Sequence, residues 1–222
     1  MRVLDLFSGL EGWSQAFRDR DHQVVTVDID SRFNPTICVD VRVLVPAYFH
    51  SFGPFDIILA SPPCNCFSVA SVYRHWNKAT KRPKDLATID AIGLVAHTIW
   101  LILNLTPRWW ILENPRGMMR RVLGKPAITT SFAAWQTDRE RDELYSSWGV
   151  NDKSWKYIKP TDLWGVFPDH IKWGRGKPKD YIRASRGSRL GIQEQNDRAM
   201  RSKIPYALSL AVCSACEAEL SS

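Results

Sequence analysis

The sequence lacks the even number of cysteines that a disulfide-bonded framework would have. The 222-residue chain contains five cysteines, an odd number, and no recognisable signal peptide precedes them. We therefore expect reduced thiols in a cytoplasmic protein. Cys213 and Cys216 form a Cys-x-x-Cys pair, but the sequence has no second pair of this spacing. Because structural zinc sites draw on four ligands, we expect no bound metal.

The sequence also lacks an apolar run of transmembrane length that polar residues do not interrupt. We therefore expect a soluble protein with no membrane partner. Aliphatic residues are few in residues 165–198, where lysine and arginine are frequent instead. This stretch is too poor in apolar side chains to form a large core of its own, so we predict a loop-rich appendage there.

The composition of the whole chain favours one substantial globular unit. Hydrophobic residues make up 45% of the sequence, which is ample for the core of one α/β domain. The net charge is +7 and the isoelectric point lies near 9.3. Both values favour a polyanionic partner, because lysine and arginine neutralise phosphates.

Short apolar runs that end in chemically useful residues form the clearest pattern in the chain. The four predicted strands are residues 2–7, 24–28, 56–60 and 108–113. They alternate with helical segments, so we predict an α/β fold with a parallel sheet. The residues at or just beyond the four strand ends are Gly9, Asp28, Cys64 and Glu113. Parallel strands end at one rim, so the sheet would bring these four residues together.

Cys64 follows two prolines just beyond the third predicted strand. Proline restricts the backbone, so this thiol is predicted at a rigid turn on the edge where open α/β sheets bind their ligands. That placement suits a nucleophile. On the local sequence alone, an inert buried cysteine is an equally good interpretation.

Three motifs together resemble one enzyme family. Pro63-Cys64 with Phe67-Ser68, Asp5-Leu6-Phe7-Ser8-Gly9 upstream and Glu113-Asn114-Pro115 downstream follow the order found in the cytosine-C5 DNA methyltransferases, particularly the short phage-type members. The resemblance covers roughly residues 1–120. It implies a Rossmann-like, S-adenosylmethionine-dependent methyltransferase sheet with a small recognition appendage. For such a member we expect a monomer, located in the bacterial host cytoplasm if it is phage-encoded.

The resemblance also implies a reaction, in which a methyl group passes from S-adenosylmethionine to C5 of a cytosine in double-stranded DNA. Cys64 adds to C6 of the flipped base, and Glu113 holds and protonates N3. Lys159 and Thr161 stand where the family elsewhere carries a Gln-Arg-x-Arg motif, and that arginine pair is missing here. The catalytic residues implied are Cys64, Glu113, Asn114 and Lys159.

The turn after the first predicted strand is a candidate cofactor site. Asp28 follows Gly9 by about 20 residues, the spacing of a nucleotide-binding βαβ unit. The turn lacks the full phosphate-binding glycine pattern, which suits S-adenosylmethionine because that molecule has no phosphates. The resemblance implies that Asp28 binds the ribose and that Asp40 or Val41 meets the adenine, although for Asp40 an exposed loop aspartate is an equal alternative. The implied cofactor-binding residues are Phe7, Ser8, Gly9, Leu10, Gly12, Asp28, Ile29, Asp40, Val41 and Pro62.

Two basic stretches are candidates for contact with DNA. Residues 71–84 mix aromatic and cationic side chains and predict a mobile active-site loop, with a solvated linker as the alternative. Residues 183–193 resemble a segment near the C-terminus of short phage methyltransferases, with ordinary basic surface as the alternative. The predicted DNA contacts are Ser68, Arg74, Lys78, Arg186, Ser188, Arg189 and Gln193.

The chain is therefore predicted to have three parts. Residues 1–164 form the catalytic domain, residues 165–198 a small target-recognition segment, and residues 199–222 a helix that packs back on the catalytic domain. Two alternative functions stay open: the same chemistry on transfer RNA, and a DNA-binding regulator without turnover. The presence of Cys64, Glu113 and the cofactor turn disfavours the regulator.

Overall fold

The computed structural model describes residues 1–136, 157–173, 182–183 and 202–222, and for residues 157–158 and 182–183 it describes the backbone alone. The strands in this part of the chain are β1 (Arg2–Leu6), β2 (Gln23–Asp28), β3 (Ile37–Cys38), β4 (Ile57–Ala60), β5 (Trp109–Pro115), β6 (Ile128–Ser131), β7 (Tyr157–Ile158), β8 (Pro160–Val166) and β9 (Ile182–Arg183). The helices are α1 (Gln15–Arg18), α2 (Val72–His75), α3 (Leu86–Leu105), α4 (Met119–Leu123) and α5 (Tyr206–Ser221).

A seven-stranded sheet in the order β3-β2-β1-β4-β5-β8-β6 organises these elements, and β7 pairs with β9 separately. The first five strands of the sheet are parallel. In the register of the central strands, Leu6 lies beside both Val27 and Ala60, and Ala60 lies beside Leu112. The four predicted strand ends therefore lie at one rim, and the predicted α/β sheet is confirmed.

The strand order reverses between β1 and β4, since β2 and β3 lie on one side of β1 and β4 and β5 on the other. Such a switch point leaves a crevice at the carboxyl ends of the two strands, because their connections cross to opposite faces of the sheet. The turn after β1 and the Cys64 turn after β4 border this crevice.

Strands β6 and β8 were not predicted from the sequence. Strand β8 pairs antiparallel with β5, so that Leu163 lies opposite Glu113. Gly165 makes this pairing possible, because its φ is +141° and a Cβ there would overlap the carbonyl oxygen of Trp110. Strand β8 continues to Val166, so the boundary predicted after residue 164 falls inside a strand of the main sheet.

Each face of the sheet carries its own helical layer. Helix α3 covers one face with Leu101 and Ile102, which are fully buried. Helices α1 and α5 cover the other face, where Phe17 and Leu208 are fully buried. Asp85 begins α3 by accepting a hydrogen bond from the Thr88 N–H at 2.8 Å, which satisfies one of the unpaired N–H groups at the start of the helix.

Helix α5 is fastened to the beginning of the chain by polar contacts. Arg20 donates two hydrogen bonds to Glu217 through Nε and Nη2, at 2.9 and 2.5 Å. The Ser209 hydroxyl donates to the carbonyl oxygen of Trp13, and both groups are buried. The C-terminal helix thus lies directly against the turn that follows β1.

Helix α3 corrects the expectation that no segment has the length and apolarity of a membrane span. It has 20 residues, and its mean hydropathy reaches 1.9 over an 18-residue window. This is weak evidence for a membrane span, because core helices of soluble proteins pass the same test. One side of α3 packs into the core beside β4 and β5.

Asp162 supports a prediction about the stability of the antiparallel strands. Its carboxylate is fully buried in β8 and accepts hydrogen bonds from Arg120 at 2.6 Å and from Thr129 at 2.7 Å. Replacing Asp162 with alanine leaves the half-buried Arg120 guanidinium and the Thr129 hydroxyl without their acceptor, so we expect a loss of about 1.5–3 kcal/mol in the free energy of unfolding. Urea denaturation measures this change.

The matched control is Glu11→Ala, which removes an exposed ion pair with Arg18. Exposed pairs contribute about 0–1 kcal/mol, because water screens both charges. An Asp162→Ala loss as small as that of Glu11→Ala would contradict the structural role of the buried pair.

Candidate active site

The loop that carries Cys64 is a tight turn held against the chain that follows β5. The carbonyl oxygen of Cys64 accepts hydrogen bonds from the N–H groups of Phe67 at 3.0 Å and Ser68 at 2.9 Å. The Met118 N–H then donates to the carbonyl oxygen of Phe67 at 2.7 Å. Gly117 lies so close to Phe67 that a Cβ would overlap its carbonyl oxygen. The half-buried Cys64 is thereby fixed near the end of β5.

Asn114 connects the two strand ends directly. Its side-chain amide donates to the carbonyl oxygen of Pro62 at 2.9 Å, and Asn114 itself is fully buried. Its Oδ1 has no hydrogen-bond partner among the residues that the structure describes. The predicted catalytic Asn114 and the predicted cofactor residue Pro62 therefore form one buried contact that positions the Cys64 turn.

Cys66 differs from Cys64 in its surroundings. It is buried, and its thiol donates to the carbonyl oxygen of Ala87 at 3.7 Å. Burial raises the pKa of Cys66 above its usual value, which keeps the thiol protonated. The indole N–H of Trp76 donates to the Cys66 carbonyl oxygen at 2.6 Å, so this part of the loop has a packing function.

Glu113 is a buried carboxylic acid with partners on β8 and just before it. It is 3% exposed, and Oε1 accepts a hydrogen bond from the hydroxyl of Thr161. The ammonium group of Lys159 lies 3.7 Å from the same oxygen. Lys159 in turn lies 4.2 Å from the centre of the Phe132 ring, an arrangement that favours a cation. The structure thus brings Glu113 together with both residues that are predicted to stand in for the missing arginine pair.

Sequence reasoning missed Phe132. It follows β6, a strand without a clear sequence signal, and only the fold brings its ring to Lys159. The backbones of the two residues are also in contact, since the Phe132 N–H donates to the carbonyl oxygen of Lys159 at 3.1 Å. Phe132 therefore positions the lysine that lies beside the buried carboxylic acid.

The turn after β1 offers both polar and apolar groups for a ligand. The Asp28 carboxylate accepts from the N–H groups of Gly9 and Asp30, each at 2.9 Å, which shapes the two neighbouring strand ends. The hydroxyl of Ser8 is buried and has no hydrogen-bond partner among the described residues. Leu10 is 36% exposed and Ile29 is 69% exposed at the same rim. An adenosine group fits such a surface, because it has hydroxyls for the polar groups and a flat ring for the apolar ones.

The same turn is tied to two distant parts of the chain. The indole N–H of Trp13 donates to the hydroxyl of Ser61 at 3.0 Å, which connects the turn with the Cys64 loop. Gly12 lies against Ile204, and a Cβ at Gly12 would overlap the Ile204 backbone. The predicted cofactor residue Gly12 is thus a point of close packing before α5. Phe7 adopts a positive φ of 62° at the start of the turn.

Asp40 and Val41 lie near the end of β2 but have other partners. Asp40 begins the 3-10 turn Val41–Val43 by accepting from the Arg42 N–H at 2.9 Å, and it pairs with the Arg42 guanidinium at 3.0 Å. The Val41 side chain is buried in the core. A contact of either residue with adenine stays a prediction.

Comparison with known proteins identifies the family. A family model described as C-5 cytosine-specific DNA methylase matches residues 1–127, more than half of the chain. The chain belongs to this family. The family prediction is confirmed, and with it the expectation of an enzyme of the DNA cytosine-5 methyltransferase class. Membership of the phage-type subset stays a prediction.

Individual relatives agree with the family assignment. The Frog virus 3 protein named Probable DNA (cytosine-5)-methyltransferase is 32% identical over 173 residues, which cover 74% of this chain and 70% of that protein. Type II methyltransferase M.DdeI of Desulfomicrobium norvegicum is 25% identical over 131 residues, 54% of this chain and 29% of that protein.

A solved structure supports the fold. The E. coli protein described as a DNA modification methyltransferase encoded within a prophage superposes with a TM-score of 0.50 and 18% identity, covering 80% of this chain and 52% of that chain. This chain therefore spans about half the length of that structure. At 18% identity, this likeness concerns the fold alone.

The predicted DNA contacts of this methylase divide between two regions. Arg74 and Lys78 are exposed in the segment after Cys64, while Ser68 bonds with Ser71 at 3.0 Å. This segment contains α2 and is anchored by the buried Trp76, so it is more structured than the predicted loop. The other predicted contacts lie outside the described residues: Arg186, Ser188, Arg189 and Gln193. The recognition segment as a separate part of the chain stays a prediction.

One group of possible metal ligands occurs in the described part of the methylase. His22, Cys213 and Glu217 place their ligand atoms within 4.8 Å of one another. Arg20 donates to both oxygens of Glu217, and burial raises the pKa of Cys213 to about 12. Both features disfavour a cation, because the carboxylate is already paired and the thiol stays protonated. The group instead fastens α5 to the start of β2.

Asp5 is a buried acid that the sequence analysis did not select. It lies in β1 and accepts a hydrogen bond from the Ser14 hydroxyl at 2.7 Å. Burial raises the pKa of Asp5 to about 7, and the nearby carboxylates of Glu11 and Asp28 act in the same direction. Because this folded-state pKa exceeds the ordinary value of 3.8, the contribution of Asp5 to stability is full below about pH 3.8 and is lost as the pH rises to about 7.

We expect Asp5→Asn to remove most of this decline, since an asparagine cannot ionise and still accepts from Ser14. The wild type should lose free energy of unfolding on the order of 4 kcal/mol more than the variant between pH 4 and pH 8. Ser14→Ala is the matched variant. It removes a hydrogen bond that lowers the Asp5 pKa, so its decline should extend to higher pH. Superimposable urea-denaturation profiles for wild type and Asp5→Asn would contradict the assignment.

Proposed function

We propose that this chain transfers a methyl group from S-adenosylmethionine to C5 of cytosine in DNA, through a covalent bond between Cys64 and C6 of a flipped base. The buried Glu113 carries the proposal. It lies between the hydroxyl of Thr161 and the ammonium of Lys159, on the strand beside the one that leads to Cys64. A carboxylic acid held there can meet a cytosine whose C6 faces the thiol.

The chemistry follows from these two side chains. Cytosine C6 becomes electrophilic when N3 is protonated, so Glu113 acts as the acid while the Cys64 sulfur forms a bond with C6. The ring then carries excess electron density at C5, which accepts the methyl group. Water takes the C5 proton, the N3 proton returns to Glu113, and the sulfur–C6 bond breaks with its electron pair returning to sulfur, which restores the aromatic base. Because stacked neighbours cover C6 in a duplex, the base has to leave the stack.

S-adenosylmethionine supplies the methyl group when bound. On the protein side, Asp28 is positioned to bind ribose hydroxyls, and Ser8 has a buried hydroxyl without a partner among the described residues. Leu10 and Ile29 offer exposed apolar surface for the adenine ring. Asp28 also shapes the turn through Gly9, so the same carboxylate serves binding and local structure.

The proposed substrate is double-stranded DNA. The net charge of +7 and the exposed Arg74 and Lys78 suit a phosphate backbone. Incubation of the protein and donor with duplex DNA or with transfer RNA, followed by mass spectrometry of the nucleosides, tests the proposal. We expect 5-methylcytosine from DNA. Product from transfer RNA alone would favour the alternative substrate.

The covalent step predicts an adduct with DNA that contains 5-fluorocytosine. Fluorine cannot leave C5 as the proton does, so the bond between Cys64 and C6 should persist. Wild-type protein should give a denaturation-resistant complex on gel electrophoresis, and Cys64→Ala should give none. Cys66→Ala is the control, because the Cys66 thiol is buried and protonated. An adduct that survives in Cys64→Ala would overturn the assignment.

Asp28 and Glu113 should differ in which step they support. Asp28→Ala removes a charged hydrogen-bond acceptor, so donor affinity should fall by roughly 1.5–3 kcal/mol in calorimetry. Glu113→Gln should leave donor affinity nearly unchanged and slow methyl transfer, because an amide cannot protonate N3. Asp56→Ala is the control, because this acid lies just before β4, at the opposite edge of the sheet. Equal losses of donor affinity in the Asp28 and Glu113 variants would defeat the proposed division.

A further inference from the structure

The outward side of α3 is unusual for a helix on a protein surface. The 20 residues Leu86–Leu105 include a single Asp, Glu, Lys or Arg, which is Asp90. Asp90 already pairs with Arg42 at 3.0 Å. A surface helix normally alternates an apolar inner side with a charged outer side. Helix α3 keeps the apolar inner side but has no charged outer side.

Six residues form a continuous uncharged stripe along that outer side. Successive helix residues are about 100° apart, so these positions fall within a strip roughly 100° wide. All six are exposed, and we call them the α3 stripe: Leu86, Ile89, Gly93, Ala96, Trp100 and Leu103. The exposed fractions of the four large ones are 82% for Leu86, 57% for Ile89, 44% for Trp100 and 57% for Leu103.

Gly93 at the middle of the stripe has open space above it. A Cβ built on this residue would meet no heavy atom within 4 Å. Glycine is unfavourable inside a helix because of its backbone freedom, and the described part of the chain gives no steric reason for it here. A second helix that approaches closely would supply that reason, since small residues let two helix backbones come near each other.

The order of residues in the stripe is symmetric about its midpoint, which lies between Leu94 and Val95. Small residues, Gly93 and Ala96, lie at equal distances on either side of this point. The larger residues follow in equidistant pairs: Ile89 with Trp100, and Leu86 with Leu103. A twofold axis through the midpoint would therefore place large side chains beside large ones and the small residues together.

We propose that the α3 stripe is the interface of a homodimer, in which the α3 helices of two copies pack antiparallel across this twofold axis. Such an interface is self-complementary, as a twofold contact requires. In it Ile89 of one copy lies beside Trp100 of the other, and Leu86 lies beside Leu103. This differs from the expectation of a monomer.

The exposed area sets the expected strength. Each of the four large side chains exposes on the order of 100 Å², so two copies would bury roughly 1,000 Å² once the flanking atoms are included. That is the lower end of the range for specific interfaces. The dimer should therefore form in the micromolar range, and dissociate on dilution.

The antiparallel arrangement leaves both active sites accessible. Helix α3 begins after the Cys64 loop at the carboxyl side of the sheet and ends before β5 starts at the opposite side. Two antiparallel copies of α3 would therefore direct their active-site rims to opposite ends of the dimer. Methylation of a short duplex should not depend on dimerisation.

Sedimentation equilibrium of the full chain over a range of concentrations tests the proposal. Wild type should shift from monomer to dimer, while Ile89→Lys and Trp100→Glu should each weaken association by about tenfold or more, because each buries an unpaired charge twice. A mixture of Ile89→Lys and Trp100→Glu should associate again. In the mixed dimer, one of the two symmetric contacts between positions 89 and 100 then pairs the introduced lysine with the introduced glutamate. The other contact keeps the native isoleucine and tryptophan.

The matched control is a mixture of Ile89→Lys and Leu103→Glu. Residue 103 lies opposite residue 86 in the proposed register, so this mixture should stay largely monomeric. Equal association in both mixtures would overturn the antiparallel register. A wild type that is monomeric at every concentration would overturn the dimer.

Two further measurements distinguish the dimer from two other ways of covering the stripe, by the same chain or by a membrane. If residues of the same chain cover it, Ile89→Lys should lower the melting temperature of the monomer strongly, and this result would overturn the proposal. If a membrane covers it, a monomeric wild type should bind phosphatidylcholine–phosphatidylglycerol vesicles and Ile89→Lys should not, which would also overturn it. Stable variants that lose only association, and still methylate a short duplex, support the dimer.

Discussion

The burial of the Glu113 carboxylic acid is the constraint on which the rest of the site depends. A buried acid needs partners in place, and here Thr161 and Lys159 supply them from β8 and the residue before it. Antiparallel β8 therefore belongs to the proposed active site. Gly165 lets this strand approach β5, and Asp162 fastens it through Arg120. Stability and proposed chemistry consequently share the same short strand.

The turn after β1 is held in place by contacts from other parts of the chain in the same way, and it is the proposed cofactor site. Asp28, Ser61 and the residues just before α5 hold it from three directions, through one carboxylate, one indole bond and one backbone contact. The Trp13–Ser61 bond also joins it to the loop that carries Cys64. The proposed donor site and the proposed nucleophile are therefore physically connected. Asp5 is buried in β1, the strand that leads into this turn, and its raised pKa predicts that the stability of this region depends on pH.

Helix α3 combines two different surfaces. Its inner side packs on the parallel strands, and its N-terminus is tied to the segment after Cys64, where Asp85 bonds with His75 at 2.8 Å. Its outer side is the uncharged α3 stripe. A helix that both supports the catalytic loop and joins two copies would add shared stability without closing either active site. The apolar composition of α3 is then explained by packing on both sides.

The sequence by itself determined the parallel strands, the Asp85 cap and the positions of Cys64, Asp28 and Glu113 at strand ends. These features depend on local patterns, namely short apolar runs, proline and glycine at turns, and a capping residue at the start of a helix. Only the tertiary structure decided that Thr161 and Lys159 contact Glu113, that the Phe132 ring lies against Lys159, and that Ser14 is the partner of Asp5. Antiparallel pairing of β8 with β5 joins segments about 50 residues apart, and no local pattern specifies such a pairing. The outward side of α3 was equally hidden, because an apolar helix shows which residues are hydrophobic but not which of them the rest of the chain leaves uncovered.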